Sequence, residues 1–200
     1  MSDKGRVSVI LPAKNETLSV GALVSKIISI LPDAEVIVVD DGSTDDTGAV
    51  AEACGATVVR HVYSKGNGAA IKTGVKKASG DILILLDADG QHDPECIPEL
   101  MNLYDSGYDM IVGARSKESQ ASLGRRLANG IYNRFSSWMV GQKIQDLTSG
   151  FRVVNARKFR EFLFLYPNGF SYPTTSTMAF FRAGYSVGYM PILAGPREGK

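Results

Sequence analysis

The sequence has few cysteines, little net charge and no long apolar run, and each absence excludes a class of protein. Cys54 and Cys96 are its two cysteines, and they stand too far apart for a CxxC pair or a zinc-ligand spacing. We expect two buried or half-buried free thiols in a reducing compartment. Because the formal net charge is +1, no overall field attracts nucleic acid or an anionic membrane, and any basic patch must be local.

The apolar segments are too short for a membrane span or a signal peptide. No stretch approaches the roughly 20 apolar residues that cross a bilayer. The polar start of the chain and the short apolar run Val7–Pro12 are unlike a signal peptide. We therefore expect a chain that is soluble or peripheral to a membrane. Since neither an internal repeat nor a linker is visible, we expect one domain over residues 1–200.

Two nucleotide-binding signatures are also missing. The spacing GxxxxGK[ST] of a P-loop does not occur in the sequence. No GxGxxG follows the first predicted strand, which argues against a dinucleotide-binding Rossmann enzyme.

The first half of the chain alternates between short apolar β-branched segments and segments with helical periodicity. The predicted strands are Val7–Leu11, Glu35–Asp40, Thr57–Arg60 and Ile82–Leu86. The predicted helices are Leu18–Leu31, a helix capped by Ser43 or Thr44 that runs to about Cys54, and Asn67–Ala78. This order predicts an α/β fold with a mainly parallel twisted sheet and helices on both faces.

The second half of the chain is less regular. Its predicted strands are Met110–Ala114, Thr148–Val154 and Ser186–Leu193. Its predicted helices are Leu123–Val140, Arg157–Leu165 and Thr175–Ala183.

Polar loops follow three of the predicted strands, namely Pro12–Glu16, Asp40–Ser43 and Asp87–Gln91. In open α/β sheets, ligands bind beyond the carboxyl ends of the strands. We therefore expect these loops to form one site.

Asp87 and Asp89 are the strongest candidates for a metal site. In an extended segment, residues two apart project to the same side, where two carboxylates repel unless a cation lies between them. Oxygen ligands suit Mg²⁺ or Mn²⁺, and Gln91 can add a carbonyl oxygen. The alternative is that both aspartates cap the next helix and solvate a loop. For His92 we expect a solvent-facing loop position.

Two further loops have both a binding and a structural interpretation. A carboxylate of Asp40-Asp41-Gly42-Ser43 can accept hydrogen bonds from a nucleobase or ribose, or Asp41 or Ser43 can cap the next helix. Lys65-Gly66-Asn67-Gly68 precedes a predicted helix N-terminus, which favours anions.

Together these stretches resemble glycosyltransferase family 2, the inverting enzymes of GT-A fold. Within that family the chain is most similar to the polyprenyl-phosphate (dolichol-phosphate) mannosyl- and glucosyltransferases. The matching stretches are VSVILPAKNE (Val7–Glu16), VIVVDDGSTDDT (Val36–Thr47), KGNGAAIKTG (Lys65–Gly74), LLDADGQHDPE (Leu85–Glu95), IVGAR (Ile111–Arg115) and DLTSGFRV (Asp146–Val153).

The resemblance implies a role for each matching residue. The donor nucleotide-sugar is expected to contact Pro12, Ala13, Asn15, Glu16, Asp40, Asp87 and Arg197. The metal ligands implied are Asp87, Asp89 and Gln91, and the catalytic residues implied are Asp89 and Asp146. The acceptor phosphate is expected to meet Arg115 and Arg125, with Arg126 as the alternative to Arg125.

The resemblance also implies the substrates and the location. A hexose passes from GDP-mannose or UDP-glucose to a polyprenyl or dolichyl phosphate at the cytoplasmic face of a membrane, and nucleic acid is not a partner. A phosphate acceptor is already ionised at neutral pH, so Asp146 is expected to orient a substrate rather than to act as a strong base. Members of the subgroup commonly continue past this point, which leaves open a membrane-associated tail after Lys200.

The helix that carries Arg125, Arg126 and Arg134 has two interpretations. Its aromatic residues, including Trp138, fit an ordinary amphipathic helix or one that lies in a membrane interface. Other functions also stay open. The same fold can transfer a sugar to a hydroxyl group, which needs a well-placed base, or can bind a nucleotide-sugar without turnover. A nucleotidyltransferase is disfavoured because LPAKNE lacks a glycine-rich basic loop.

Overall fold

The computed structural model describes residues 5–115, 132, 134–193 and 195. These residues build a seven-stranded sheet with helices on both faces. The strands are β1 (Val7–Ala13), β2 (Glu35–Asp40), β3 (Thr57–Arg60), β4 (Ile82–Leu85), β5 (Met110–Arg115), β6 (Arg152–Asn155) and β7 (Val187–Ile192). The helices are α1 (Thr17–Ile30), α2 (Thr47–Ala53), α3 (Asn67–Lys77), α4 (Ile97–Asp105), α5 (described over 134–140), α6 (Ala156–Glu161) and α7 (Tyr172–Arg182), and a short 3₁₀ turn (Pro94–Cys96) precedes α4.

The sheet is mainly parallel, as the alternation of strands and helices predicts. Its strand order is β3-β2-β1-β4-β6-β5-β7. Among the strands that the structure describes, only β6 runs antiparallel to its neighbours. The carboxyl ends of the other six therefore meet at one edge, where the three polar loops also lie. The α/β fold class is confirmed.

Each face of the sheet has its own apolar core. Side chains of α1, α2 and α4 cover one face and pack against residues such as Val9, Leu11 and Ile84. Side chains of α3, α6 and α7 cover the other face and pack against residues such as Ile10 and Leu83. Neighbouring strand residues point to opposite faces, so a strand buried on both sides reads as a continuous apolar run.

Several boundaries differ from the sequence-based expectations. The strand predicted from Thr148 starts at Arg152, because the residues before it form a hydrogen-bonded turn. The helix α6 ends at Glu161 and is capped by Asn155, whose Oδ1 accepts from the backbone N–H of Lys158 at 3.1 Å. The helix α7 starts at Tyr172, before the predicted position, since a proline is tolerated in the first turn of a helix.

The helix α2 also begins later than expected, at Thr47, so neither Ser43 nor Thr44 caps it. The helix predicted over Leu123–Val140 is helical at 134–140, and most of its earlier part lies outside the described residues. Within the described ranges, no helix is both long and apolar enough to cross a bilayer. Cys54 and Cys96 are half-buried free thiols, as expected.

We predict that Gly74→Val destabilises the fold by about 2 kcal/mol, because overpacking a core contact has a cost of this order. A Cβ atom at this position of α3 lies too close to Ile10 Cγ2 of β1 and 3.2 Å from Val39 Cγ2 of β2. Urea unfolding measures the change. The matched control is Gly169→Val, since a Cβ atom there has no neighbour within 4 Å. Equal unfolding midpoints for both variants would refute the close packing of α3 on the sheet.

Candidate active site

A cavity of about 350 Å³ opens at the carboxyl ends of β1, β2 and β4. The lining residues come from all three predicted loops, from the segment before α3 and from the segment before α7. They are Pro12, Ala13, Lys14, Glu16, Asp41, Ser64, Gly66, Asn67, Ala70, Asp87, Ala88, Asp89 and Phe170. The structure thus brings five of the predicted site residues together here: Pro12, Ala13, Glu16, Asp87 and Asp89.

Asn15 and Asp40 are not among the lining residues. Asn15 adopts a left-handed backbone conformation (φ 55°), and its Oδ1 accepts from the backbone N–H of Thr44 at 2.9 Å. Ser43 connects to both residues. Its Oγ accepts from the backbone N–H of Asn15 at 3.0 Å, and its own N–H donates to Asp40 Oδ1 at 2.9 Å. Both predicted residues therefore brace the loops after β1 and β2 against each other.

Asp41, rather than its neighbour, faces the cavity and holds its wall. Its carboxylate is bonded to the ring Nδ1 of His61 at 2.7 Å and accepts from Ser64 Oγ at 2.7 Å. It also accepts from the backbone N–H groups of Lys65 at 2.8 Å and Gly66 at 2.9 Å. Although burial opposes it, this set of hydrogen bonds lowers the pKa of Asp41 to about 2. The alternative that Asp41 caps α2 is wrong, because α2 starts at Thr47 and the carboxylate of Asp41 accepts from the segment before α3.

The start of α3 has fewer backbone N–H groups available to an anion than its glycines suggested. The backbone N–H of Gly68 donates to the carbonyl of Gly169 at 3.2 Å, and that of Ala69 donates to the carbonyl of Asn168 at 3.1 Å. A side chain at Gly68 would collide with the backbone of the same segment. The glycines of this motif thus allow two chain segments to pack closely, and these donors of the helix start are used within the protein.

Asp87 and Asp89 follow β4 directly, at the cavity floor. Asn67 Nδ2 donates to Asp87 Oδ1 at 3.0 Å, and the backbone N–H of Gln91 donates to Asp89 Oδ1 at 3.2 Å. Burial raises the pKa of Asp87, and the charge of Asp89 raises it further, although the bond from Asn67 acts in the opposite direction. Gly150 packs against the Asp87 carboxylate, where a side chain would not fit.

The oxygen atoms around Asp87 fit a divalent metal for which the protein supplies some of the ligands and a substrate supplies others. The described residues hold no group of three or more His, Cys, Asp or Glu side chains that could bind an ion unaided. Mg²⁺ sites commonly use one or two carboxylates and complete their shell with water and phosphate oxygens. The Oδ1 atom of Asn67 is buried without a hydrogen-bond partner, which adds an unused oxygen near this carboxylate.

Gln91 and His92 lie on the other side of the Asp87–Asp89 loop. Gln91 lines a neighbouring open groove of about 450 Å³, and its carbonyl oxygen accepts from the backbone N–H of Gly195 at 2.8 Å. The expectation of a solvent-facing His92 is wrong. Its ring is buried, packs 5.6 Å from the ring of Phe151 and leaves Nδ1 without a hydrogen-bond partner.

Asp146 and Arg115 form a two-point ion pair. Arg115 donates to both carboxylate oxygens, from Nε at 2.9 Å and from Nη2 at 3.1 Å, and its backbone N–H donates at 3.2 Å. Thr148 donates through its backbone N–H and its hydroxyl, and Ser149 through its backbone N–H. Although burial opposes it, the bonds from Arg115 lower the pKa of Asp146. Six hydrogen bonds leave this carboxylate little capacity to accept a substrate proton.

Arg152 donates hydrogen bonds to the turn that contains Asp146. The sequence analysis did not identify this residue. Its side chain is fully buried, and burial lowers its pKa. The guanidinium donates to the carbonyl groups of Ser149 at 2.9 Å and Leu147 at 3.3 Å, and to the hydroxyls of Ser176 at 3.1 Å and Thr177 at 2.7 Å. It therefore joins the Asp146 turn to α7. The available signal was an arginine flanked by the apolar residues Phe151 and Val153.

The remaining predicted residues, Arg125 and Arg197, lie outside the described residues, as does Arg126. On α5, the rings of Phe135 and Trp138 lie 6.0 Å apart, and both side chains are exposed. Both interpretations of this helix stay open.

Comparison with known proteins identifies the relatives of this chain. The family model described as glycosyl transferase family 2 matches residues 8–164. An uncharacterized protein of Methanocaldococcus jannaschii is 34% identical over 159 residues, which cover 76% of this chain and 65% of that protein. The polyprenol monophosphomannose synthase of Mycolicibacterium smegmatis is 30% identical over 209 aligned positions, which cover 96% and 78%. The dolichol-phosphate mannosyltransferase of Pyrococcus furiosus is 39% identical over 116 residues, which cover 55% and 33%.

Solved structures share the fold. The glucosyl-3-phosphoglycerate synthase of Mycobacterium tuberculosis, in complex with Mn²⁺, UDP and glucosyl-3-phosphoglycerate, superposes with a TM-score of 0.77 at 23% identity. The match covers 98% of this chain and 74% of that one. At this identity the likeness establishes the fold alone.

We predict that Asp41→Asn destabilises the protein by about 1–3 kcal/mol at neutral pH, because an amide nitrogen cannot accept and leaves part-buried donors unpaired. The pKa of Asp41 is about 2 in the folded state, below its ordinary 3.8, so its stabilising effect is complete above pH 3.8. It declines as the pH falls towards 2. Urea unfolding should therefore show that the free energies of unfolding of wild type and Asp41→Asn differ by a constant amount near neutral pH. This difference should become smaller in acid. A difference that grows in acid would contradict this assignment.

Proposed function

The chain belongs to glycosyl transferase family 2, and on that premise we propose that it is an inverting, metal-dependent glycosyltransferase. The donor is a nucleotide-sugar such as GDP-mannose or UDP-glucose, and the acceptor is a polyprenyl or dolichyl phosphate. The observation that carries this proposal is that negatively and positively charged side chains lie at the same edge of the sheet. The carboxylates of Asp87 and Asp89 line the cavity after β4, and Arg115, the last residue of β5, lies at the same edge of the sheet.

The names of the relatives support the acceptor class. Two of them are a polyprenol monophosphomannose synthase and a dolichol-phosphate mannosyltransferase. The chain spans 65% of the first relative and 33% of the third, so the activity of the whole protein is part of the proposal.

Asp87 and Asp89, which line the cavity together, are the residues that would hold Mg²⁺ or Mn²⁺. Gln91, the third predicted ligand, lines the neighbouring groove and would have to turn its side chain towards them to take part. Such an ion, when bound, neutralises the leaving nucleoside diphosphate. Support at the level of the fold comes from the glucosyl-3-phosphoglycerate synthase, whose structure contains Mn²⁺ and UDP. Two carboxylates in one loop cannot both stay ionised at low energetic cost, so a cation between them relieves their repulsion.

The donor would lie along the walls of the cavity. Pro12, Ala13 and Glu16 line it directly, and Asn15 and Asp40 keep the loops of that wall in place. As predicted from the sequence, Arg197 is proposed to bind the donor diphosphate. Arg125 is proposed to bind the acceptor phosphate.

Arg115 is proposed to bind the acceptor phosphate. Asp146 engages its Nε and Nη2 atoms and so fixes the plane of the guanidinium. With that edge occupied, Nη1 is the atom that would donate to a phosphate oxygen. A phosphate monoester is already ionised at neutral pH, so its oxygen can attack the anomeric carbon without a strong base. Attack opposite the leaving diphosphate inverts the configuration at that carbon.

The hydroxyl-acceptor alternative is less well supported by this arrangement. It needs a base, and Asp146, the predicted candidate, is occupied by six hydrogen bonds and has a lowered pKa. A non-catalytic binding module is distinguished by assay, because it binds a donor without turnover. Since the proposed acceptor is a lipid, the reaction would occur with peripheral contact at the cytoplasmic face of a membrane.

We expect calorimetry to detect binding of UDP-glucose or GDP-mannose in the presence of Mn²⁺ but not in its absence. Asp89→Asn should weaken this binding by at least about tenfold, since even outer-shell partners of a metal contribute that much. The matched control is Asp33→Asn, which changes an exposed aspartate in the α1–β2 connection. Binding that ignores both the metal and Asp89 would rule out the metal-bridged donor.

We expect Asp146→Asn and Arg115→Lys to lower kcat/KM for a polyprenyl phosphate by a similar factor of about 10 to 100, because each disrupts the same two-point pair. The double variant should be little worse than either single variant, as residues that act through one interaction are not additive. If Asp146 were instead a general base, Asp146→Asn alone would lower kcat and change its pH profile.

A further inference from the structure

The segment 166–169, between α6 and α7, is attached to α3 by four hydrogen bonds. Lys72 Nζ donates to the carbonyl of Tyr166 at 3.0 Å and to Asn168 Oδ1. Two more bonds run from the backbone of residues 68 and 69 to the carbonyl groups of residues 169 and 168. The next residue, Phe170, therefore starts from a fixed backbone.

The Phe170 side chain is exposed to an unusual degree for so large an apolar group. It is 84% exposed, yet it is one of the residues that line the cavity. Among the described residues it has no ring contact with another aromatic side chain. An apolar ring that is fixed at its base and open on its faces is suited to stacking.

The rest of the cavity identifies what could stack on it. Asp87 and Asp89 form the carboxylate floor, and Asp41 and Ser64 lie in the wall beside the segment that anchors Phe170. The part of a nucleotide-sugar that has an aromatic face is its base. A base stacked on Phe170 leaves the diphosphate free to lie over the carboxylate floor.

We propose that Phe170 is a donor-binding residue whose ring stacks on the nucleobase of the nucleotide-sugar. This inference rests on the proposed function and adds to it, since it assigns the base to the face of the cavity formed by the segment before α7. Stacking is tolerant of base identity because every base has a π face, so Phe170 contributes affinity more than it contributes discrimination between uracil and guanine.

Calorimetric titration with UDP, GDP, UDP-glucose and GDP-mannose, each with Mn²⁺, tests the inference. Phe170→Ala should weaken binding of the nucleoside diphosphate and of its sugar derivative by the same factor of about ten, which is typical of one aromatic–base stack. Phe170→Trp should retain or strengthen binding. The matched control is Phe164→Ala, because Phe164 is 81% exposed in the same connection but does not line the cavity.

Three outcomes would overturn the inference in distinguishable ways. Unchanged binding by Phe170→Ala, with a wild type that binds, would refute the stacking and leave the proposed function intact. A loss limited to the sugar derivatives would assign Phe170 to the sugar instead of the base. A wild type that binds none of the four ligands would overturn the proposed function and the inference together. Thermal unfolding of Phe170→Ala and Phe164→Ala confirms that both variants are folded.

Discussion

The wall of the cavity depends on the carboxylate of Asp41, which accepts hydrogen bonds from the segment between β3 and α3. Backbone N–H groups of this segment lie before the first residue of α3, outside the regular hydrogen bonds of a helix or strand. Asp41 satisfies two of them, together with one hydroxyl and one histidine ring. An unpaired donor in this position would have a substantial free-energy cost. This one carboxylate holds the positions of Ser64, Lys65 and Gly66 beside the cavity.

The same physical rule separates the aspartates of the site into two groups. Asp41 and Asp146 are each surrounded by donors, which lower their pKa values and suit them to holding a turn or an arginine. Asp87 has one donor, from Asn67, lies beside another carboxylate and has a raised pKa. A carboxylate with unused acceptor capacity is one that can bind a metal. The number of hydrogen bonds that each carboxylate accepts is therefore the physical difference between these side chains of identical type.

Close backbone packing links the two halves of the chain at the site. The glycines at 66 and 68 allow the segment before α7 to lie directly on the start of α3, and Gly150 allows the turn before β6 to reach Asp87. Arg152 then joins that turn to α7. The segments that carry the donor and acceptor parts of the proposed site are thus in direct contact.

The sequence by itself determined the α/β fold class, all the strands of the first half and the loops that carry the site, because hydrophobic periodicity and turn residues are local properties. It also indicated Asp87 and Asp89, since their position at the end of an apolar strand is visible in the chain. Tertiary structure decided which of the adjacent residues Asp40 and Asp41 faces the cavity, how Asp146 is saturated, and that His92 is buried. Each of these depends on contacts between segments that are distant along the chain, and a local pattern contains no information about which partner a side chain will meet.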